Sequence, residues 1–140
     1  MNEKRYEEIP HTADWSFRAY GRDLNELFEN AAYAMFAMEG TIPPDAATRV
    51  PEVTRTVEAG GIDYESVLVN WLNELLYLQD TRQETFFRFE IDDLSPQSLR
   101  AHVYGRSNAN IEKLVKAATF HDLKIERTPE GWQAVVVVDV

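Results

Sequence analysis

Asp14 closes the segment His11-Thr-Ala-Asp14, where the chain turns into the apolar run that begins at Trp15, and Asp139 is the sole ionisable side chain between Trp132 and Val140. Both are carboxylates at the ends of strand-like segments. A carboxylate buried in such a strand without a partner costs several kcal/mol or takes up a proton. One cation would satisfy both. The alternative is that Asp14 caps a turn and Asp139 lies at a solvated chain end. Lys116, between apolar neighbours in Leu114-Val-Lys-Ala-Ala-Thr-Phe-His121, is either a snorkelling surface lysine or a contact for a phosphate or carboxylate. His11, His102 and His121 could in principle gather as a zinc site, although single histidines on strands are more often structural or surface residues.

Other chemistries are excluded. The 140 residues contain no cysteine, which rules out disulfides, thiolate zinc sites, iron–sulfur clusters and a thiol nucleophile. The Walker loop, the dinucleotide glycine pattern, the Gly-x-Ser-x-Gly elbow and the His-Glu-x-x-His helix are all missing. A familiar enzyme type is therefore not expected. A stand-alone metal-dependent hydrolase would need a base and a pocket beside its metal, and His11 and His121 are the candidates for the base.

The elements that must position these residues are legible from periodicity. Trp15, Phe17 and Ala19 alternate with Ser16, Arg18 and Tyr20, a strand pattern. Asp23 then caps a helix expected over about Leu24–Met38, with Glu26 at capping-box spacing; Leu24, Leu27, Phe28, Ala31, Met35 and Met38 form its apolar stripe. Gly40 and Pro43-Pro44 end it. A Val/Thr-rich strand from about Pro51 leads to Gly60-Gly61, after which Asp63 caps a second helix carrying Val67, Leu68, Trp71, Leu72, Leu75 and Leu76. Phe87, Phe89 and Ile91 pair with Leu99, Ala101 and Val103 as a hairpin across 92–97, and Ala118–Arg127 pairs with Trp132–Val140. The run Ala134-Val-Val-Val-Val138 predicts a strand covered on both faces. About seven strands and two long helices, dominated by hairpins, give an α+β fold. The helices should pack on a mainly antiparallel, curved sheet system, in a single domain over residues 1–140.

Charge narrows the partners. Fourteen Lys and Arg against 24 Asp and Glu give a net charge of -10, so stable binding to nucleic acid is disfavoured and a basic protein partner is favoured. Between Leu99 and Arg127 the sign reverses locally, with Arg100, Arg106, Lys113, Lys116, Lys124 and Arg127 outnumbering the acids. The charged start and the lack of a long apolar stretch predict no membrane span and a cytoplasmic protein.

Several ordered blocks resemble one family. Ile9-Pro-His-Thr-Ala-Asp14, Ala19-Tyr-Gly21, Leu27-Phe-Glu-Asn-Ala-Ala-Tyr-Ala-Met-Phe36, Trp71-Leu-Asn-Glu-Leu-Leu-Tyr77, Val115-Lys-Ala-Ala-Thr-Phe-His121 and Val136-Val-Val-Asp-Val140 are similar to archease signatures. Ala118 and Phe120 depart mildly from that pattern. The resemblance implies a small, non-enzymatic, metal-binding accessory protein that activates the RtcB-type RNA-splicing ligase. It would promote guanylylation of the ligase by GTP and support multiple turnover in tRNA splicing and RNA repair. Chaperoning a tRNA cytosine methyltransferase is the older reading of the family. The resemblance further implies metal ligands at Asp14, Asp139 and the main chain of Val140, where a terminal carboxylate could join or replace the carbonyl. It implies a functional role for Lys116 and, more weakly, for His11. Oxygen ligands without sulfur suit a divalent cation, Ca²⁺ above Mn²⁺ or Mg²⁺.

Overall fold

A computed structural model describes residues 4–10 and 14–140. The chain runs β1 (Tyr6–Ile9), β2 (Trp15–Gly21), α1 (Leu24–Met38), β3 (Val53–Gly60), α2 (Tyr64–Arg82), β4 (Glu84–Ser95), β5 (Ser98–Ser107), β6 (Ala117–Ala118), β7 (Ile125–Thr128) and β8 (Gly131–Asp139). The strands form two antiparallel sheets. One has the order β1-β2-β8-β6, with β7 also pairing β8; the other has the order β3-β5-β4. Each helix packs against both sheets, α1 on β2 and β4, α2 on β3, β4 and β6. The fold is α+β, as expected.

Capping explains where the helices start. The Asp23 carboxylate accepts from the Glu26 N–H at 2.8 Å, but the reciprocal bond of a capping box is displaced by one residue, since the Glu26 carboxylate accepts from the N–H of Arg22. The complete box lies on α2. There Asp63 accepts from the Ser66 N–H and the Ser66 hydroxyl accepts from the Asp63 N–H. Gly40, at φ +80°, follows the C-cap of α1, a conformation for which glycine carries no Cβ penalty.

The core is built on aromatic residues of both helices. Phe36 lies 6.0 Å from Phe86 and from Phe89, ring centre to ring centre. The fully buried Trp71 donates its indole N–H to the Phe28 carbonyl at 3.0 Å, which ties α2 to α1. Three expectations need correction. The strand expected over Ala118–Arg127 is divided, since Ala117–Ala118 and Ile125–Thr128 are separate short strands that both pair with β8, which gives eight strands among the described residues. The 92–97 connection is mostly strand, since β4 and β5 extend to a two-residue turn at Pro96-Gln97, with register shifts at Phe86/Arg88 and Ile91/Asp93. The valine run is not buried on both faces: Ala134, Val136 and Val138 are buried, whereas Val135 and Val137 are half-buried.

Candidate functional site

Cross-strand register puts Asp14 and Asp139 at the same end of one sheet. The β2–β8 ladder pairs Gly21 with Trp132 and ends with Trp15 opposite Val138. Asp14 immediately precedes β2, in a bend, and Asp139 is the last residue of β8. Side chains alternate along a strand, so Asp139 shares a face with Val137, Val135 and Gln133, which is the face of Ser16, Arg18 and Tyr20 on β2. Asp139 is exposed, and its carboxylate has no hydrogen bond among the described residues. The chemistry of the pair, two hard oxygen donors at one sheet end, fits a divalent cation. Among the described residues no group of three or more His, Asp or Glu side chains could hold an ion, so main-chain oxygen or water would have to complete the shell.

Lys116 is drawn to this end through its backbone. Its N–H donates to the Asp139 carbonyl at 2.7 Å, and Ala117 is the register partner of Asp139. Its side chain is exposed and lines a groove of about 440 Å³ with Leu76, Tyr77, Asp80 and Leu114. Tyr77 and Leu114 are themselves 61% and 50% exposed and give the groove an apolar rim. Val140 follows Asp139 and is 48% exposed. Lys113, one of the basic residues of the 99–127 segment, sets its ammonium 4.3 Å from the centre of the Trp15 ring.

The Arg18 and Tyr20 face of β2 is tied by polar contacts. The Glu7 carboxylate accepts from the Arg18 guanidinium at 3.2 Å and from the Tyr20 hydroxyl. The Tyr20 bond, then the Arg18 bond, hold the Glu7 carboxyl below its ordinary range. Among the described residues the histidines join no cluster that could hold a metal. His102 stands on β5, in the other sheet, with Nδ1 2.6 Å from Asp92; His121 is exposed beside Asp122; His11 lies outside the described residues. A larger cavity of about 700 Å³, lined by Arg5, Tyr33, Pro43, Arg88 and Tyr104 among others, includes none of Asp14, Lys116 and Asp139.

Sequence reasoning missed the side chains that anchor the Lys116 segment. Glu39, fully buried, accepts on Oε2 from the Val115 N–H and from the Gln79 side-chain amide, both at 2.8 Å. Burial pushes its carboxyl above the ordinary range, against the lowering effect of those two bonds. Asn73 on α2 accepts from the Ala118 N–H at 2.8 Å and donates to the Ala118 carbonyl at 3.1 Å. A signal was present: Glu39 stands four residues after Met35, so helical spacing continues the apolar stripe into a carboxylate.

The same architecture occurs in known proteins. The family model described as "Archease protein family (MTH1598/TM1083)" matches residues 6–140. This chain belongs to the archease family. Protein archease of Methanosarcina acetivorans is 39% identical over 98% of this chain and 97% of its own length. That of Pyrococcus abyssi is 38% identical over 98% and 99%. The solution structure of Methanobacterium thermoautotrophicum protein 1598 superposes with a TM-score of 0.72 at 33% identity, covering 97% of this chain and 99% of that one. A Thermotoga maritima crystal structure described as "an archease, possible chaperone" shares the fold, with a TM-score of 0.63 at 23% identity, covering 100% of this chain and 98% of that one. No helix among the described residues is long and apolar enough to cross a membrane.

Proposed function

We propose that this chain is a metal-binding activator of an RtcB-type RNA-splicing ligase, working in the cytoplasm and performing no reaction on RNA itself. The observation that supports the reading is that three positions far apart in sequence lie at one sheet end. Asp14 precedes Trp15, Asp139 follows Val138, the register partner of Trp15, and the Lys116 N–H is bonded to the Asp139 carbonyl. In this reading Asp14, Asp139 and main-chain oxygen of Val140 hold a divalent cation, with Ca²⁺ the best match to flexible oxygen ligands and Mn²⁺ or Mg²⁺ the alternatives. The cation supplies a fixed positive charge that holds both carboxylates ionised and orders the strand ends. Lys116 adds a mobile ammonium on a neighbouring surface, suited to contacting phosphate of the GTP or of the guanylylated ligase. The net charge of -10 favours encounter with a basic RNA-processing enzyme over RNA itself.

The test is ligation with purified RtcB-type ligase, GTP, Mn²⁺ and RNA ends bearing a 2′,3′-cyclic phosphate and a 5′-hydroxyl. Adding this protein should convert a single round of joining into many rounds. Unchanged turnover would reject the proposal. Phosphoester hydrolysis by this protein alone would replace it with the hydrolase reading.

A further inference from the structure

The segment from Asn108 to Lys116 contains no helix or strand, and it and the short strand β6 that follows are held by side chains from the C-cap of α1 and from α2. The Glu112 N–H donates to the main-chain carbonyl of Glu39 at 2.9 Å, and the Val115 N–H donates to the Glu39 carboxylate. The Lys116 N–H goes to Asp139 and the Thr119 N–H to Val137. Ala118 has both its N–H and its carbonyl taken by the amide of Asn73, which occupies the outer edge of β6 as a further strand would.

Glu39 is an expensive residue for its location. A buried carboxylate needs compensation that an apolar side chain of the same size does not. Among the described residues Glu39 has no cationic partner, and its Oε1 makes no hydrogen bond. Its bonds go to the Val115 N–H and to Gln79, a residue that is itself 4% exposed. The side chain therefore fixes the peptide one residue before Lys116. Asn73 fixes the residue two after it.

We propose that Glu39 and Asn73 are positioning residues for Lys116, clamping the backbone on either side of the lysine so that its flexible stem starts from one fixed point beside Asp139. Without the clamp the ammonium keeps its charge but samples a wider volume. Activation then falls through lost orientation, while assembly with the ligase is retained. The proposal rests on the reading of Lys116 as a group the ligase needs.

The experiment compares wild type, Asn73→Ala, Glu39→Leu, Glu39→Gln and Lys116→Ala. Two readouts are used: amide hydrogen exchange of the free protein, and ligase guanylylation across a range of activator concentrations. Loss of one anchoring hydrogen bond corresponds to about tenfold faster local exchange. Asn73→Ala should show that increase at Ala118 and Glu39→Leu at Val115. Each should lower the maximal guanylylation rate with little change in the concentration giving half-maximal activation. Glu39→Gln keeps a carbonyl acceptor and should retain both the slow exchange at Val115 and the activation. If Glu39→Leu does not fold, Asn73→Ala, altered on the half-buried side of α2, decides the matter with the same readouts. Lost activation in Lys116→Ala with full activation in Asn73→Ala and Glu39→Leu overturns the proposal and leaves the role of Lys116 standing. Full activation in Lys116→Ala overturns both.

Discussion

If Asp14 and Asp139 share a cation, replacing Asp139 by Asn should reverse its effect on stability according to whether metal is present. Directly opposed residues of an antiparallel pair have Cβ atoms about 4.5–5.5 Å apart. Carboxylates that splay apart from there carry charges about 6 Å from each other. At an exposed strand end, with an effective dielectric of about 40–80, their repulsion is about 0.7–1.4 kcal/mol before salt screening. In chelator, Asp139→Asn should therefore be as stable as wild type or more so, by up to about 1 kcal/mol. At a free Ca²⁺ concentration 100 times the dissociation constant, wild type should gain about 2.7 kcal/mol by mass action. For a chain of this length each kcal/mol moves the melting temperature by about 3–4 °C, so the expected shift is roughly 8–11 °C in wild type and near zero in the variant. Scanning calorimetry of both proteins, with chelator and across a Ca²⁺ titration, measures all four conditions. Equal Ca²⁺ shifts in the two proteins would refute the shared site. So would a variant that is markedly less stable than wild type in chelator, because Asp139 would then be structural.

Further outcomes follow from the same geometry. Trp71→Phe removes the indole N–H bonded to the Phe28 carbonyl and leaves a void between the helices, which should cost roughly 2–3 kcal/mol in denaturant unfolding with an unchanged slope. Burial raises the Glu39 carboxyl above its unfolded value, so between those two values the folded state holds more protons and stability falls as pH rises. Glu39→Gln lacks that loss. Its stability relative to wild type should thus improve from pH 4 towards pH 7 and level off above the folded value, as read by urea unfolding at each pH; a parallel pair of pH profiles would contradict the assignment. The association rate with the ligase should fall as salt is raised, because exposed charges are screened over about 8 Å at physiological ionic strength; stopped-flow mixing at several salt concentrations measures it.

The helices and the long strands were legible because their signals are local. Asp23 and Asp63 cap where carboxylates at those spacings should cap, and Trp71, Leu72 and Leu75 lie on the buried stripe that periodicity marks. The register of β2 against β8 was not legible: it is a pairing between opposite ends of the chain, and no local pattern sets it. Their places at the ends of apolar segments, and then the resemblance to archease sequences, nominated Asp14 and Asp139, and the ladder from Gly21–Trp132 to Trp15–Val138 puts the two at one sheet end. Short strands escaped for a related cause. Ala117–Ala118 is held by β8 and by Asn73, and its own two alanines carry no strand preference. Gly105 shows the same limit. A Cβ there would stand 2.0 Å from the Thr85 carbonyl oxygen, a constraint created by the irregular β4–β5 pairing around Phe86 and Arg88.

The most direct measurement of the central claim is the rate at which GMP becomes covalently attached to an RtcB-type ligase in a single turnover with labelled GTP. It would be followed alone and with wild-type, Asp139→Ala or Lys116→Ala protein, after calorimetry has established that each variant is folded. Labelling should be faster with wild type and stay near the rate of the ligase alone with either variant. Labelling that is indifferent to wild-type protein, or equally accelerated by all three, would contradict the claim.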